Sequence, residues 1–195
     1  MRDRNRRIAL EDQPRRQRRP QEKLARILAS ATTTFGEDGY ARARIHSVCR
    51  AAGVSIGTFY DHFENKADLM LQVAELASES LPMPNAATLS QLEQHVTELA
   101  AAPTAGVARA WLEAIHIEPT LHIANERLRA MFFVRYTQWV TDARARRRVR
   151  STLGDEPTAR TVMALLKEAV IGTYGPTDLR VSEMAKAIWF VLYAE

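Results

Sequence analysis

From Gln21 onward, apolar residues return every three or four positions, the period of one helical face. Leu24, Ile27, Leu28, Ala31 and Phe35 form a first stripe, which Gly36 and Gly39 are expected to end. Ile45, Val48, Cys49 and Ala52 form a second, and Phe59, Tyr60 and Phe63 a third. Leu69, Val73 and Leu76 carry a fourth, stopped at Pro82-Met83-Pro84. Beyond that breaker lie stripes at Leu89, Leu92, Val96 and Leu99, and at Val107, Trp111 and Ile115 before Pro119. A long segment from about 121 to 150 carries Leu128, Phe132 and Trp139, and Gly154 and Pro157 interrupt it. Two last helices are expected over about 158–174 and 179–193, the second with Val181, Met184, Ile188 and Leu192 on one face. No stretch alternates with period two between turn signals, so the expected fold is all-α. The expected division is a tail over 1–20, a three-helix head with a connecting fourth helix over 21–81, and a helical body over 82–195.

The stretch AGVSIGTFYDHFENK (52–66) holds the densest local signals. Gly53 suits the left-handed position just past a helix end. Ser55 can cap the next helix by accepting from a first-turn N–H, with Val54 and Phe59 placed as a hydrophobic staple. Asn65 offers another cap, with Asp68 near the positive end of that helix dipole. Two short helices joined by a glycine-containing turn make a helix-turn-helix.

Charge changes the picture at one end. Residues 1–20 hold eight arginines against Asp3, Glu11 and Asp12 in a chain of net +4. With two prolines and few apolar residues this tail reads as disordered, either an arm that attracts nucleic acid or a solvated extension. It has no apolar core of a secretory signal. The longest apolar run, 187–194, is far below the roughly 18 residues of a membrane span. A cytoplasmic location is the default expectation. The lone Cys49 excludes an internal disulfide, and no Cys/His cluster has zinc spacing. His46 and Cys49, one turn apart, read as packing. In HIEPTLH (116–122) Pro119 breaks any metal-ligand spacing. No Ser-His-Asp order, paired carboxylates or phosphate loop stands out, so no enzyme activity, catalytic residue, cofactor or metal is expected.

RILASATTTFGEDGY (26–40) followed by IHSVCRAAGVSIGTFYDHFENKADL (45–69) resembles the DNA-binding domain of the tetracycline-repressor (TetR) family of transcriptional regulators. Phe35, Gly39-Tyr40, Ala52 to Ser55, Gly57-Thr58, Tyr60, Phe63 and Lys66 carry the resemblance. It implies that the second helix of the motif enters the major groove with its N-terminal residues at base edges. Candidate DNA contacts are then Arg44, Ser55, Ile56, Gly57, Thr58, Tyr60, His62 and Lys66. Thr58 can hydrogen-bond a base or meet a thymine methyl, and Gly57 admits close approach. Lys66, at the unfavourable positive end of a helix dipole, is expected to face a phosphate. Tyr60 has a second reading as core, and His62 as a plain surface histidine. Arg44 stands where the family often has a small hydroxyl residue, and Ile56 where it is often basic.

The body carries no identifying motif. The resemblance implies a ligand-binding and dimerising unit whose last two helices pair with their mates. Trp111, His116, Phe132, Tyr136 and Trp139 are the candidate lining of a site for a small apolar or aromatic effector, with ordinary core as their alternative. The expected function is a ligand-responsive homodimeric repressor on a palindromic operator. A constitutive DNA-binding regulator and a small-molecule-binding protein with a vestigial head are the competing readings.

Overall fold

The computed structural model describes residues 15–84, 88–146, 149–172 and 177–193, without the side chains of 15–19 and 177–180. Within them nine α-helices follow one another and no strand forms. They are α1 (Arg15–Arg42), α2 (Ile45–Ala52), α3 (Ile56–Tyr60), α4 (Lys66–Ser80), α5 (Leu89–Ala101), α6 (Pro103–Ile117), α7 (His122–Ala145), α8 (Asp155–Ile171) and α9 (Thr177–Tyr193). A 3-10 turn, Pro119–Leu121, leads into α7.

Apolar stripes placed the interiors well and the ends less well. α1 begins at Arg15, ahead of the expected start at Gln21. Arginine and glutamine sustain a helix without an apolar face, so periodicity could not mark that start. The expected disorder of 1–14 lies outside the described residues. Gly36, expected to end α1, lies inside it. The break falls at Gly39, whose φ of 76° takes the backbone out of helical geometry before one more turn.

The Gly36 backbone instead lies at a close helix crossing. A Cβ on Gly106 of α6 would lie 2.5 Å from the Gly36 carbonyl oxygen and 2.7 Å from its Cα. The two helices therefore cross backbone against backbone, which only glycine permits there.

That crossing sets how the cores divide. Ile27, Phe35, Phe59, Leu69 and Val73 of α1, α3 and α4 form one cluster, and α6 adds Val107, Ala110, Trp111 and Ala114 to it. Leu92 and Val96 of α5, Val162 and Leu166 of α8, and Ile188 and Leu192 of α9 form the second. Leu81 ends α4, but the first core runs on through α6. On α9 the stripe Val181, Ile188 and Leu192 is buried within the chain itself, while Phe190 stands 70% exposed.

α7 fastens the end of α4. The Arg135 guanidinium donates to the carbonyls of Ser78 and Leu81, each at 2.9 Å. These are C-terminal carbonyls with no partner inside their own helix. The Trp139 indole donates to the Pro84 carbonyl at 2.8 Å. Arg144 ties the next connection, donating to Asp155, Ser151 O and Leu153 O. Hydrogen bonds from Thr141 and Arg144 hold the Asp155 carboxyl below the usual aspartate range.

Gly106→Ala is expected to lower stability by about 1–3 kcal/mol, the usual cost of overpacking, because the methyl meets backbone that cannot swing away. Urea unfolding of the variant beside Gly154→Ala, where a Cβ meets only Pro157 Cδ at 3.7 Å, measures the difference.

Candidate nucleic-acid interface

The head's turn forms as its residues require. Gly53 sits at φ 63°, ψ 40°, with its N–H on Arg50 O and the Val54 N–H on Cys49 O, at 3.2 and 3.0 Å. This pair of bonds is the Schellman closure of a helix C-terminus. Ser55 Oγ then accepts from the Thr58 N–H at 3.1 Å and lies 3.0 Å from the Thr58 hydroxyl. Asn65 Oδ1 accepts from the Asp68 N–H at 2.9 Å, while Asp68 Oδ2 accepts from the Glu64 N–H at 3.1 Å. Each end of α3 and the start of α4 is thereby fixed by local hydrogen bonds.

The cap leaves one side of α3 turned outward. Phe59 is fully buried and stacks on Phe63 at 5.3 Å between centroids. Tyr60, next in sequence, is 57% exposed, so its core reading does not describe this fold. Thr58 is half-buried with its hydroxyl against Ser55. Ile56 is half-buried and packs on the first core. A Cβ on Gly57 would meet only Ser55 Oγ at 3.8 Å. Nothing inside the protein requires glycine at that position. Arg44 is exposed at the extended N-cap of α2, where its side chain makes no capping bond. His62 is half-buried beside Phe63.

Lys66 is placed differently from the expectation. Its ammonium donates to Tyr40 O at 2.9 Å and Ala43 O at 3.4 Å, and lies 4.2 Å from the Tyr40 ring centroid. The charge that the helix dipole disfavours thus has partners inside the head, at the carbonyl end of α1.

The match to known families falls on this part of the chain. Residues 27–73 fit the pattern described as bacterial regulatory proteins, tetR family. That segment therefore carries the tetR-family DNA-binding pattern. Its sequence is similar to an HTH-type transcriptional regulator of Mycobacterium tuberculosis, 34% identical over 89 residues that cover 37% of this chain and 46% of that one. It is also similar to the fatty acid metabolism regulator protein of Bacillus subtilis, 33% identical over 58 residues, 30% of this chain and 29% of that one. The similarity therefore spans less than half the length of these curated relatives. Among solved structures, a TetR-family transcriptional regulator from Rhodococcus sp. shares the fold, with TM-score 0.71 at 19% identity over 88% of this chain and 99% of that one. A helix-turn-helix head joined to a helical body is thus the fold of the described residues.

The five body candidates are not brought to one place. Trp111 is buried in the first core, its indole donating to Asn125 Oδ1 at 3.1 Å. His116 is exposed, its ring nitrogen 2.7 Å from Leu112 O. Phe132, Tyr136 and Trp139 share α7, and Tyr136 and Trp139 meet edge to face at 6.4 Å against the second core. Burial pushes the Tyr136 phenol up to about 12. Two polar atoms that periodicity did not single out are buried without a partner, His95 Nε2 on α5 and Thr137 Oγ1 on α7. Burial lowers the His95 pKa, which favours the neutral imidazole. Among the described residues no group of three His, Cys, Asp or Glu is placed to hold a metal ion. No described helix is long and apolar enough to cross a membrane.

Gly57→Ala separates the two roles of that position. Thermal unfolding should show equal or greater stability, by up to about 1 kcal/mol, since alanine is the better helix former. A clear loss of stability would show that glycine is needed by the fold.

Proposed function

We propose that this chain is a tetR-type, cytoplasmic, homodimeric transcriptional repressor that reads a palindromic operator through α3 and releases it when a small apolar or aromatic effector enters the body. The observation that carries the reading is the outward side of α3: an exposed Tyr60 beside a glycine that no internal neighbour requires. A major-groove helix needs such a surface, with hydrogen-bonding groups at its N-terminal end and room for close approach. Ser55, Thr58, Tyr60, Arg44, Ile56 and His62 are the proposed contacts. Lys66, committed to Tyr40 and Ala43, contributes through the geometry of the head.

Charge supports a part for the tail. Between Gln21 and Leu81 there are six lysines and arginines against eight acidic residues. A head so balanced gains little phosphate attraction of its own, whereas the eight arginines of residues 1–20 would supply it.

The effector reading rests on α7. Phe132 and Tyr136 flank Arg135, whose fork holds the last carbonyls of α4, so a molecule wedged beside these rings would disturb that grip. His95 and Thr137 are the proposed polar anchors, because each buries an atom that a ligand could satisfy. Exposed His116 and internally bonded Trp111 are weaker candidates.

For the dimer, α8 and α9 remain the proposed interface, through the exposed surface around Phe190. Ile188 and Leu192 are already used inside the chain.

Thr58→Ala and Tyr60→Phe are each expected to weaken binding to a duplex selected by the wild-type protein, by about 1–3 kcal/mol for a lost base contact, with unchanged circular dichroism. Wild-type affinity in both would remove α3 as the reading helix. Phe190→Glu is expected to sediment as a folded monomer, whereas Ile188→Glu should unfold the body. A Phe190→Glu dimer would place the interface elsewhere.

A further inference from the structure

Tyr40 lies where the head meets the body. Its side chain is fully buried, and each of its polar groups is engaged. Its N–H donates to Glu113 Oε2 at 2.6 Å and its hydroxyl to Glu118 Oε1 at 2.8 Å. Its carbonyl accepts from Lys66 Nζ at 2.9 Å, and the same ammonium lies over its ring. Glu113 projects from α6, and Glu118 ends that helix. Lys66 opens α4 directly after the loop that follows α3.

Two features make this junction directional. Gly39, at φ 76°, turns the chain so that the Tyr40 N–H points at α6, and a Cβ there would meet Glu113 Oε2 at 2.8 Å. A few residues earlier, Gly36 and Gly106 touch backbone to backbone. The crossing fixes a pivot point. The carboxylates fix the rotation about it, through charge-assisted bonds that are short and geometrically demanding. Lys66 passes the same anchor to the start of α4 and so to the loop behind α3.

We infer that Glu113 and Glu118 are positioning residues for DNA recognition, setting the angle of the head on α6 through Tyr40. This rests on the operator-binding reading above and adds to it the device that holds the recognition surface in place. Neither carboxylate touches DNA. Each acts on the spacing at which two heads can dock at once, because half-sites must face the same side of the duplex.

The test uses full-length protein and a duplex selected from random sequence by the wild type, then remade with one base pair inserted between its half-sites. The variants are Glu118→Ala, Glu113→Ala and Tyr40→Phe, with Glu118→Gln as the conservative partner. Tyr40→Phe keeps the ring and removes only the hydroxyl, so it reads out the same bond if an alanine variant does not fold. All affinities are taken well below each melting temperature. The expected result is a loss of about tenfold on the selected duplex, within the usual range of couplings between distant sites, together with a smaller penalty for the inserted base pair. Glu118→Gln should restore both, because its amide oxygen can still accept from the Tyr40 hydroxyl. Variants that lose stability but keep the wild-type preference for spacing would overturn the inference alone. A wild type that selects no paired half-sites would remove the operator reading, and the inference with it.

Discussion

The backbone contact of Gly36 with Gly106 is the constraint from which the arrangement of this molecule follows. Because α1 and α6 meet without intervening side chains, α6 lies deep enough to give Val107, Ala110, Trp111 and Ala114 to the core of the head. The same approach brings Glu113 and Glu118 within hydrogen-bonding reach of Tyr40. Head and body are thus one packed interior along α6, and a second core forms where α5, α8 and α9 meet. Any larger residue at Gly106 would separate the helices and with them both sets of contacts.

The second attachment of the head is polar and lies at the far end of α4. Arg135 and Trp139 hold the carbonyls of Ser78, Leu81 and Pro84, while Lys66 holds the near end to α1. α4 is therefore gripped at both ends by hydrogen bonds to main-chain carbonyls. Such bonds depend on direction more than apolar contacts do, so a small shift of α6 or α7 is felt at α4 more sharply than in the apolar core.

How legible this was in the sequence depended on range. The Ser55 and Asn65 caps and the left-handed Gly53 involve residues within a turn of one another, and the pattern of types disclosed them. The stripes gave the helical fold for the same reason. Gly36 was misread because a glycine that ends a helix and one that lies within it look alike in sequence. The dipole argument for Lys66 identified an unusual charge correctly, but its partners are the carbonyls of Tyr40 and Ala43, more than twenty residues away. Glu113, Glu118, Arg135 and Asn125 carried no local signal at all, since each bonds across the fold. On α9 the period showed a stripe through Ile188 and Leu192 without showing what buries it, and it gave no sign of the exposed Phe190.

Hydrogen exchange of the full-length protein, with and without a duplex that it has selected, tests the central claim most directly. Slowed exchange reports amides that become shielded or more tightly held. Protection is expected across the start of α2 and the whole of α3, residues 44–60, extending to the anchored turn at 39–43. Protection confined to α7, α8 or α9, with 44–60 exchanging as in the free protein, would contradict it.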